Sequence, residues 1–357
     1  MRPMLSPLFV VMSMCATCWA APGSAPEVES APGKSGYRGW QFDWDNDMFA
    51  RTDRWFTNAM RVSWVVERPH READPISARL LDARSLLLGQ ALLAAPAQGE
   101  KSGQGIAYNV GQLMYTPADI TISAPQHLDR PWSGALYAGA TVFGYRSQMF
   151  ESTDLKLGVA GRGSKAAWVQ RKWHRLIGAD YPAGWEHQQP SRPFVQAQHM
   201  ALRSFGDRGG ASDRWGFHTG YAAAVGTHRS YASLLAGLSL GWQAGRNPVF
   251  AVSNDGDLVV HDLGETQALR RLLVFANVSA TAVGHNRFIT GRTVSGDPEL
   301  RLRRGVAALQ LGANLPLGRH WRVMYTHTLR SAEFVSNRGP AREASQRWGT
   351  VSLVHTE

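Results

Sequence analysis

Cysteine is nearly absent: the 357 residues hold two, Cys15 and Cys18. Both lie in the first twenty residues, which read as a secretory signal. Arg2 gives the positive charge, residues 8–14 (LFVVMSM) the apolar stretch, and Cys18-Trp19-Ala20 a small-x-small cleavage site. A lipoprotein signal would need a leucine three residues before the cysteine, and neither cysteine has one. A mature chain starting at Ala21 then has no disulfide, no thiol nucleophile and no cysteine metal site. Long apolar runs are missing too. After the signal nothing approaches the roughly 18–20 residues that a spanning helix requires, so a helical membrane protein is excluded. H-E-x-x-H, P-loop and Cys/His metal spacings do not occur. Acidic residues are the scarcer charge, 28 against 38 Lys and Arg, for a net +10. In an exported chain this balance points to anionic lipid and away from nucleic acid, with a merely basic solvated surface as the simpler reading. Residues 21–37, rich in Ala, Pro, Gly and Ser, read as an unstructured lead-in.

What the chain does have is short alternating segments. In 40-WQFDWDND-47, Trp40, Phe42 and Trp44 fall on one face and Gln41, Asp43, Asp45 and Asp47 on the other. The same period recurs in 58-NAMRVSWVV-66. Length permits one large domain or two. Alternation predicts strands at 38–48, 57–66, 104–115, 132–145, 149–160, 193–205, 213–226, 231–243, 268–282, 301–314, 319–333 and 344–355. Most are longer than the usual five or six residues of soluble strands and near the roughly nine to eleven that cross a bilayer. The expected fold is therefore all-β, a twelve-stranded antiparallel transmembrane barrel in the Gram-negative outer membrane. The ending Leu353-Val354-His355-Thr356-Glu357 lacks the terminal aromatic common in such barrels and argues against it. Starting strand 1 in the periplasm puts the loops at 49–56, 116–131 and 161–192 on the outer surface. It puts 67–103 and 244–267 in the periplasm. Within the first of these, residues 76–93 have leucines at helical spacing and predict an amphipathic helix under the barrel.

Chemistry collects at the outer end. Asn46 and Asp47 close strand 1 and Thr57 opens strand 2, while the 161–192 loop carries a helix-like segment, 164-SKAAWVQRKWHRLIG-178. Ser164 is the expected N-cap, Gly178 the expected stop, and Val169, Trp173, Leu176 and Ile177 the expected apolar stripe. His174 borders that stripe, four residues after Gln170, and Asp180 follows. Oxygen ligands of this kind suit calcium, and a histidine beside them can activate water. Each residue also has a plainer reading: a structural histidine, a polar turn, a solvated basic helix. The match to G-x-S-x-G at 237-GLSLG-241 is rejected, because Ser239 lies inside an alternating strand with no helix after it.

These residues, with 53-DRWFTN-58, 111-GQLMYTPADI-120, 129-DRPWSGALYAG-139, 169-VQRKWHRLIGA-179, 184-GWEHQ-188 and Glu333-Phe334, resemble the outer-membrane lipid A 3′-O-deacylase family. The likeness is strongest over residues 40–190 and rests mainly on strand pattern thereafter. It implies a calcium-dependent site between barrel wall and loop helix that hydrolyses the ester of the 3′-linked acyloxyacyl group of lipid A. His174 would then be the base, and Asn46 would orient substrate or stabilise the oxyanion. Asp47 would hold Ca²⁺, with Thr57 and Asp180 helping to build the site. Arg171, Lys172 and Arg175 could meet lipid A phosphates. Asp180 stands where the family has Glu, Ile122 where some members carry lysine, and Asn58-Ala59 where Asn-Gly is commoner. The expected partners are lipopolysaccharide and the outer membrane, and the expected state is a monomer. The alternatives are an outer-membrane phospholipase built on a Ser–His pair, or a non-catalytic porin-like barrel.

Overall fold

The computed structural model of the chain describes residues 38–52, 54–67, 79, 102–146, 149–205, 215–241, 272–336 and 345–356. The expected signal, the lead-in, the 244–267 connection, Asp53, and all but Arg79 of the expected helix at 76–93 lie outside them.

Twelve long antiparallel strands close a barrel. They are β1 (Arg38–Asn46), β2 (Trp55–Glu67), β3 (Ser102–Thr116), β4 (Ser133–Arg146), β5 (Met149–Ala160), β6 (Arg192–Phe205), β7 (Trp215–Gly226), β8 (Arg229–Gly241), β9 (Leu273–Asn286), β11 (Gly305–Leu317), β12 (Trp321–Arg330) and β14 (Gln346–Thr356). Two three-residue strands, β10 (Leu300–Leu302) and β13 (Phe334–Ser336), pair separately. Each strand neighbours the next around the barrel, and β14 closes it against β1, from Gly39 opposite Thr356 to Asn46 opposite Gly349. The missing terminal aromatic therefore does not prevent closure. Closure matters because an open edge would leave backbone groups unpaired where lipid offers no partner.

The strands form where the alternation predicts, because the two faces meet different surroundings. On β1 the side chains of Gln41, Asp43 and Asp45 are buried inside, whereas Trp40, Phe42 and Trp44 are half-exposed outside. Val62, Val110, Leu157, Val225 and Leu234 are exposed on the outer wall, the apolar belt a bilayer requires. Interior charges are paired instead of solvated. The Arg61 guanidinium donates to Asp43 Oδ2 at 2.7 Å, and Ser352 Oγ donates to Asp43 Oδ1 at 2.6 Å. Lys156 lies 3.1 Å from Asp154. At one end the interior is filled by Phe56, Tyr115, Phe194, Phe288 and Trp348, all buried.

That same end carries the connections β1–β2, β3–β4, β5–β6, β7–β8, β9–β11 and β12–β14, together with the longest described helix, α1 (Ala166–Ile177). A one-turn helix, α2 (Arg287–Thr290), follows β9.

Candidate functional site

Helix α1 lies against the outside of the wall at β3 and β4, and its sequence explains how it sits there. Gly134 is the point of closest approach: a Cβ there would come within 2.7 Å of both Ala166 Cβ and Ser164 Oγ. Gln112 Nε2 donates to the Ser164 carbonyl at 2.7 Å. Below the helix pack Met114, Ile120, Trp132 and Trp185 with Ala166. The helix boundary differs from the expected one. Lys165 is the N-cap, in the left-handed region at φ 59°, and Ser164 precedes it, its Oγ donating to the Gly161 carbonyl at 2.6 Å. Gly178 ends the helix at φ 68°, as its lack of a side chain allows.

The face turned to the barrel is Ala166, Gln170 and His174, three residues spaced four apart. The expected apolar stripe is not the buried one. Val169 and Trp173 are half-buried, while Leu176 is 77% exposed and Ile177 39%. The physical reason is inversion: beside a lipid-facing wall, apolar side chains gain by pointing outward and polar ones by being enclosed.

His174 is 5% exposed, and its Nδ1 lies 2.6 Å from the backbone carbonyl oxygen of Asp180. A carbonyl only accepts, so Nδ1 carries a proton. The Asp180 carboxylate itself belongs to an exposed residue. Gln170, one turn earlier, accepts from Trp185 Nε1 at 2.7 Å through Oε1, and its buried Nε2 has no protein acceptor. Sequence pattern did not single out Gln170; a buried amide with an unused donor beside a histidine is visible only once the helix is docked.

The strand ends meet this helix through aromatic and amide contacts. Trp44 packs edge-on against Trp173 at 5.8 Å and donates from Nε1 to Asn58 Oδ1 at 2.8 Å. Asn46 Nδ2 donates to the same oxygen at 3.0 Å, and Asn46 Oδ1 accepts from the Met48 N–H at 2.8 Å, which caps the turn that follows. Asn46 pairs with Asn58 across β1 and β2, so Asp47 and Thr57 are the next residues out on the two chains. Asp47 is buried and its Oδ2 accepts from the Arg54 N–H at 2.5 Å. Thr57 sits at a β-bulge and shares a 2.6 Å hydrogen bond with Thr116 Oγ1. Asp47 on one chain and the Thr57–Thr116 pair on the other carry hard oxygen donors, which fit a hard divalent cation in kind. Among the described residues no group of three acidic, histidine or cysteine side chains could hold a metal, so neutral oxygens would complete any shell.

Of the three cationic candidates on α1, Arg171 is partly engaged, 3.8 Å from Glu186 and over the Tyr181 ring at 5.5 Å. Lys172 and Arg175 are exposed. Among the described residues two serine–histidine pairs occur elsewhere: His187 with Ser295 at 2.6 Å, and His285 with Ser230 at 2.7 Å. Ser230 Oγ also accepts from the His285 N–H at 3.2 Å, where the β8–β9 register shifts, so it serves to close a bulge.

The sequence profile of one family, described as outer membrane protein LpxR, matches residues 8–356. Among solved structures, LpxR from Salmonella typhimurium is 17% identical, with a TM-score of 0.65, over 89% of this chain and 99% of that one. The β-domain of the Bordetella autotransporter BrkA is 9% identical, with a TM-score of 0.43, over 91% of this chain and all of the other. No curated protein sequence matches.

Proposed function

The chain belongs to the LpxR family of outer-membrane barrels, and from that premise we propose that it is a lipid A deacylase. In this reading it hydrolyses the ester of the 3′-linked acyloxyacyl group at the outer-surface end of the barrel. The observation that carries the reading is His174, enclosed against the wall with Nδ1 tied to the Asp180 carbonyl at 2.6 Å. That bond orients the ring, and in this reading Nε2 takes the proton from water.

Nε2 removes a proton from water, and the water oxygen adds to the ester carbonyl carbon. The tetrahedral adduct breaks its bond to the sugar oxygen. The proton held by His174 then passes to that oxygen, giving the 3′-hydroxyl and the free acyloxyacyl acid. Gln170 Nε2 is placed to donate to a substrate or intermediate oxygen, as an unused buried donor beside the base. Asn46, locked to Asn58, orients the substrate from the strand side. Lys172 and Arg175 are exposed and would meet the glycolipid phosphates, with Arg171 partly held by Glu186. Ca²⁺ would be held by Asp47, with Thr57 and Asp180 helping to build its surroundings, and when bound it would polarise the ester carbonyl.

The test is mass spectrometry of lipid A incubated with the detergent-purified chain, with calcium and with chelator. The expected result is loss of the 3′-linked acyloxyacyl group with calcium and intact lipid A with chelator. Intact lipid A in both, from a folded barrel, would refute the reading. Gln170→Leu is expected to slow the reaction about 10²- to 10³-fold, the usual scale for one lost transition-state donor, while leaving barrel formation unchanged on a heat-modifiability gel.

A serine-dependent phospholipase would have to rest on the Ser295–His187 or the Ser230–His285 pair. Ser295→Ala and Ser230→Ala should each leave deacylation unchanged, and phospholipid hydrolysis abolished by either change would favour the alternative. A porin-like role fits poorly with the aromatic filling at the α1 end.

A further inference from the structure

Acidic residues are confined to three of the twelve long strands: Asp43, Asp45, Glu67, Glu151 and Asp154 lie on β1, β2 and β5, and the contiguous wall β6, β7, β8, β9, β11 and β12 contains none. At the α1 end of the acid-free wall, four chain segments bring cationic side chains together. Arg192 opens β6, His228 and Arg229 turn the chain into β8, His285 and Arg287 end β9 and begin α2, and Arg304 precedes β11.

Backbone contacts hold these segments side by side. The Arg287 N–H donates to the His228 carbonyl at 2.6 Å, and the Val283 N–H donates to the Arg304 carbonyl at 2.8 Å. Arg229 pairs with Asn286 across β8 and β9. The His228 ring lies between Phe194, at 5.7 Å, and Phe288, at 5.2 Å. Arg304 is hung from the carbonyls of Val283 and Gly284. Arg192, Arg287 and Arg304 are exposed, and among the described residues no carboxylate pairs with any of the three. The electrostatic consequence falls on His228. Burial first, then Arg287, Arg192 and His285, lower its pKa to about 4.

Cations gathered without counter-charge repel one another, so an anion that bridges them gains more than at a single arginine. Guanidinium groups suit the planar faces of phosphate oxygens in particular. On the same wall, the outward side chains Val195, Val225 and Leu234 are exposed and apolar. A molecule lying there can bury acyl chains on the wall and hold its phosphate at the rim.

We propose that this arginine crown is a second anion site, for the phosphomonoester of an outer-leaflet glycolipid, across the barrel from α1. Its central strands, β8 and β9, stand four to six places around the twelve-strand ring from β4 and β3, where α1 lies, and β6 is the nearer flank. The site therefore holds a lipid other than the one at His174 and contributes no catalytic group.

The test uses the full chain in detergent with three probes: bis-phosphorylated lipid A, its dephosphorylated counterpart, and inorganic phosphate. Ring-labelled histidine, with His228→Gln to assign the signal, reports His228 titration by NMR. Phosphorylated lipid is expected to raise the pH at which His228 titrates, because a bound phosphate offsets the neighbouring cations. Dephosphorylated lipid should leave it in place. The double variant Arg192→Gln/Arg287→Gln, altered only at exposed positions, should bind phosphorylated lipid A about tenfold more weakly, the scale of two lost charge-assisted contacts. Arg171→Gln/Lys172→Gln should keep the His228 response. An unmoved His228 signal with phosphorylated lipid, or equal affinity in the double variant, would overturn the crown. Inorganic phosphate acting as well as the lipid at equal concentration would overturn the lipid source. Neither readout needs turnover, so failure here is separate from failure of the deacylase reading.

Discussion

His174→Ala is expected to lower the rate of 3′-deacylation about 10²- to 10⁴-fold, the usual share of a positioned general base. The expectation follows from how the ring is held. One nitrogen is spent on the Asp180 carbonyl at 2.6 Å, so rotation is blocked and the proton-accepting nitrogen keeps one direction. Alanine removes both the base and the tie to the segment after α1. His174→Asn separates the two effects, because its amide N–H can still reach that carbonyl while the side chain cannot accept a proton as imidazole does. Equal losses in both variants, each running as a folded barrel on a gel, would assign the role to proton transfer. Recovery of activity in the asparagine variant would instead show that His174 is a structural tie. Full activity in both would end the reading of His174 as the base.

Glu333→Gln is expected to destabilise the α1 end of the barrel by about 3–5 kcal/mol, the cost of breaking a buried ion pair on one side. Glu333 is buried between Arg130, whose Nη1 donates at 3.0 Å, and Arg330, whose Nη1 donates at 3.3 Å; Gln346 Nε2 donates at 2.5 Å. Both arginines are themselves buried and lie over aromatic rings, Arg130 over Tyr115 at 4.2 Å and Arg330 over Trp348 at 4.7 Å. Neutralising the glutamate removes the carboxylate that both enclosed cations share. The measurement is urea unfolding of the refolded barrel, followed by tryptophan fluorescence.

The same network gives an acid dependence with a definite sign. Burial opposes the charge of Glu333, but Arg130, Arg330 and the Gln346 hydrogen bond outweigh it, so its folded pKa is lowered. A lowered carboxylate contributes stability above its unfolded pKa and loses it as pH falls through the folded value. The stability difference between wild type and Glu333→Gln should therefore be full at neutral pH and shrink only below the ordinary glutamate range. Asp129 beside it behaves oppositely: burial, the leading cause, raises its pKa despite donors from Ala118, Arg130 and Trp55. An unchanged difference down to strong acid would show that the glutamate's charge does not hold this end together.

These two cases differ in how visible they were beforehand. Glu333 was noticed only as part of a resemblance, because nothing local marks a glutamate at residue 333 as the partner of an arginine at 130. That pairing needs β3–β4 and β12–β14 to be brought to one end. Gln170 went unmarked for the same reason, since an unused amide donor exists only relative to what surrounds it. On α1, local pattern even pointed the wrong way. The expected apolar stripe includes Leu176 and Ile177, which face outward, while the polar Gln170 and His174 are enclosed. The expected cap moved by one residue, to Lys165.

By itself the sequence determined the strands, their number and their two faces. A bilayer outside and a packed polar interior impose opposite demands on alternate residues, and that demand is written locally, as in Trp40, Phe42 and Trp44 against Gln41, Asp43 and Asp45. Asn46, Asp47, Thr57 and His174 were also legible, as polar groups at strand ends and on one loop helix. Only the tertiary structure decided which face of α1 meets the wall, which nitrogen of His174 holds the proton, and that four acid-free segments raise one cationic rim. Those are properties of distance between segments far apart in the chain, and closing the barrel is what sets the distances.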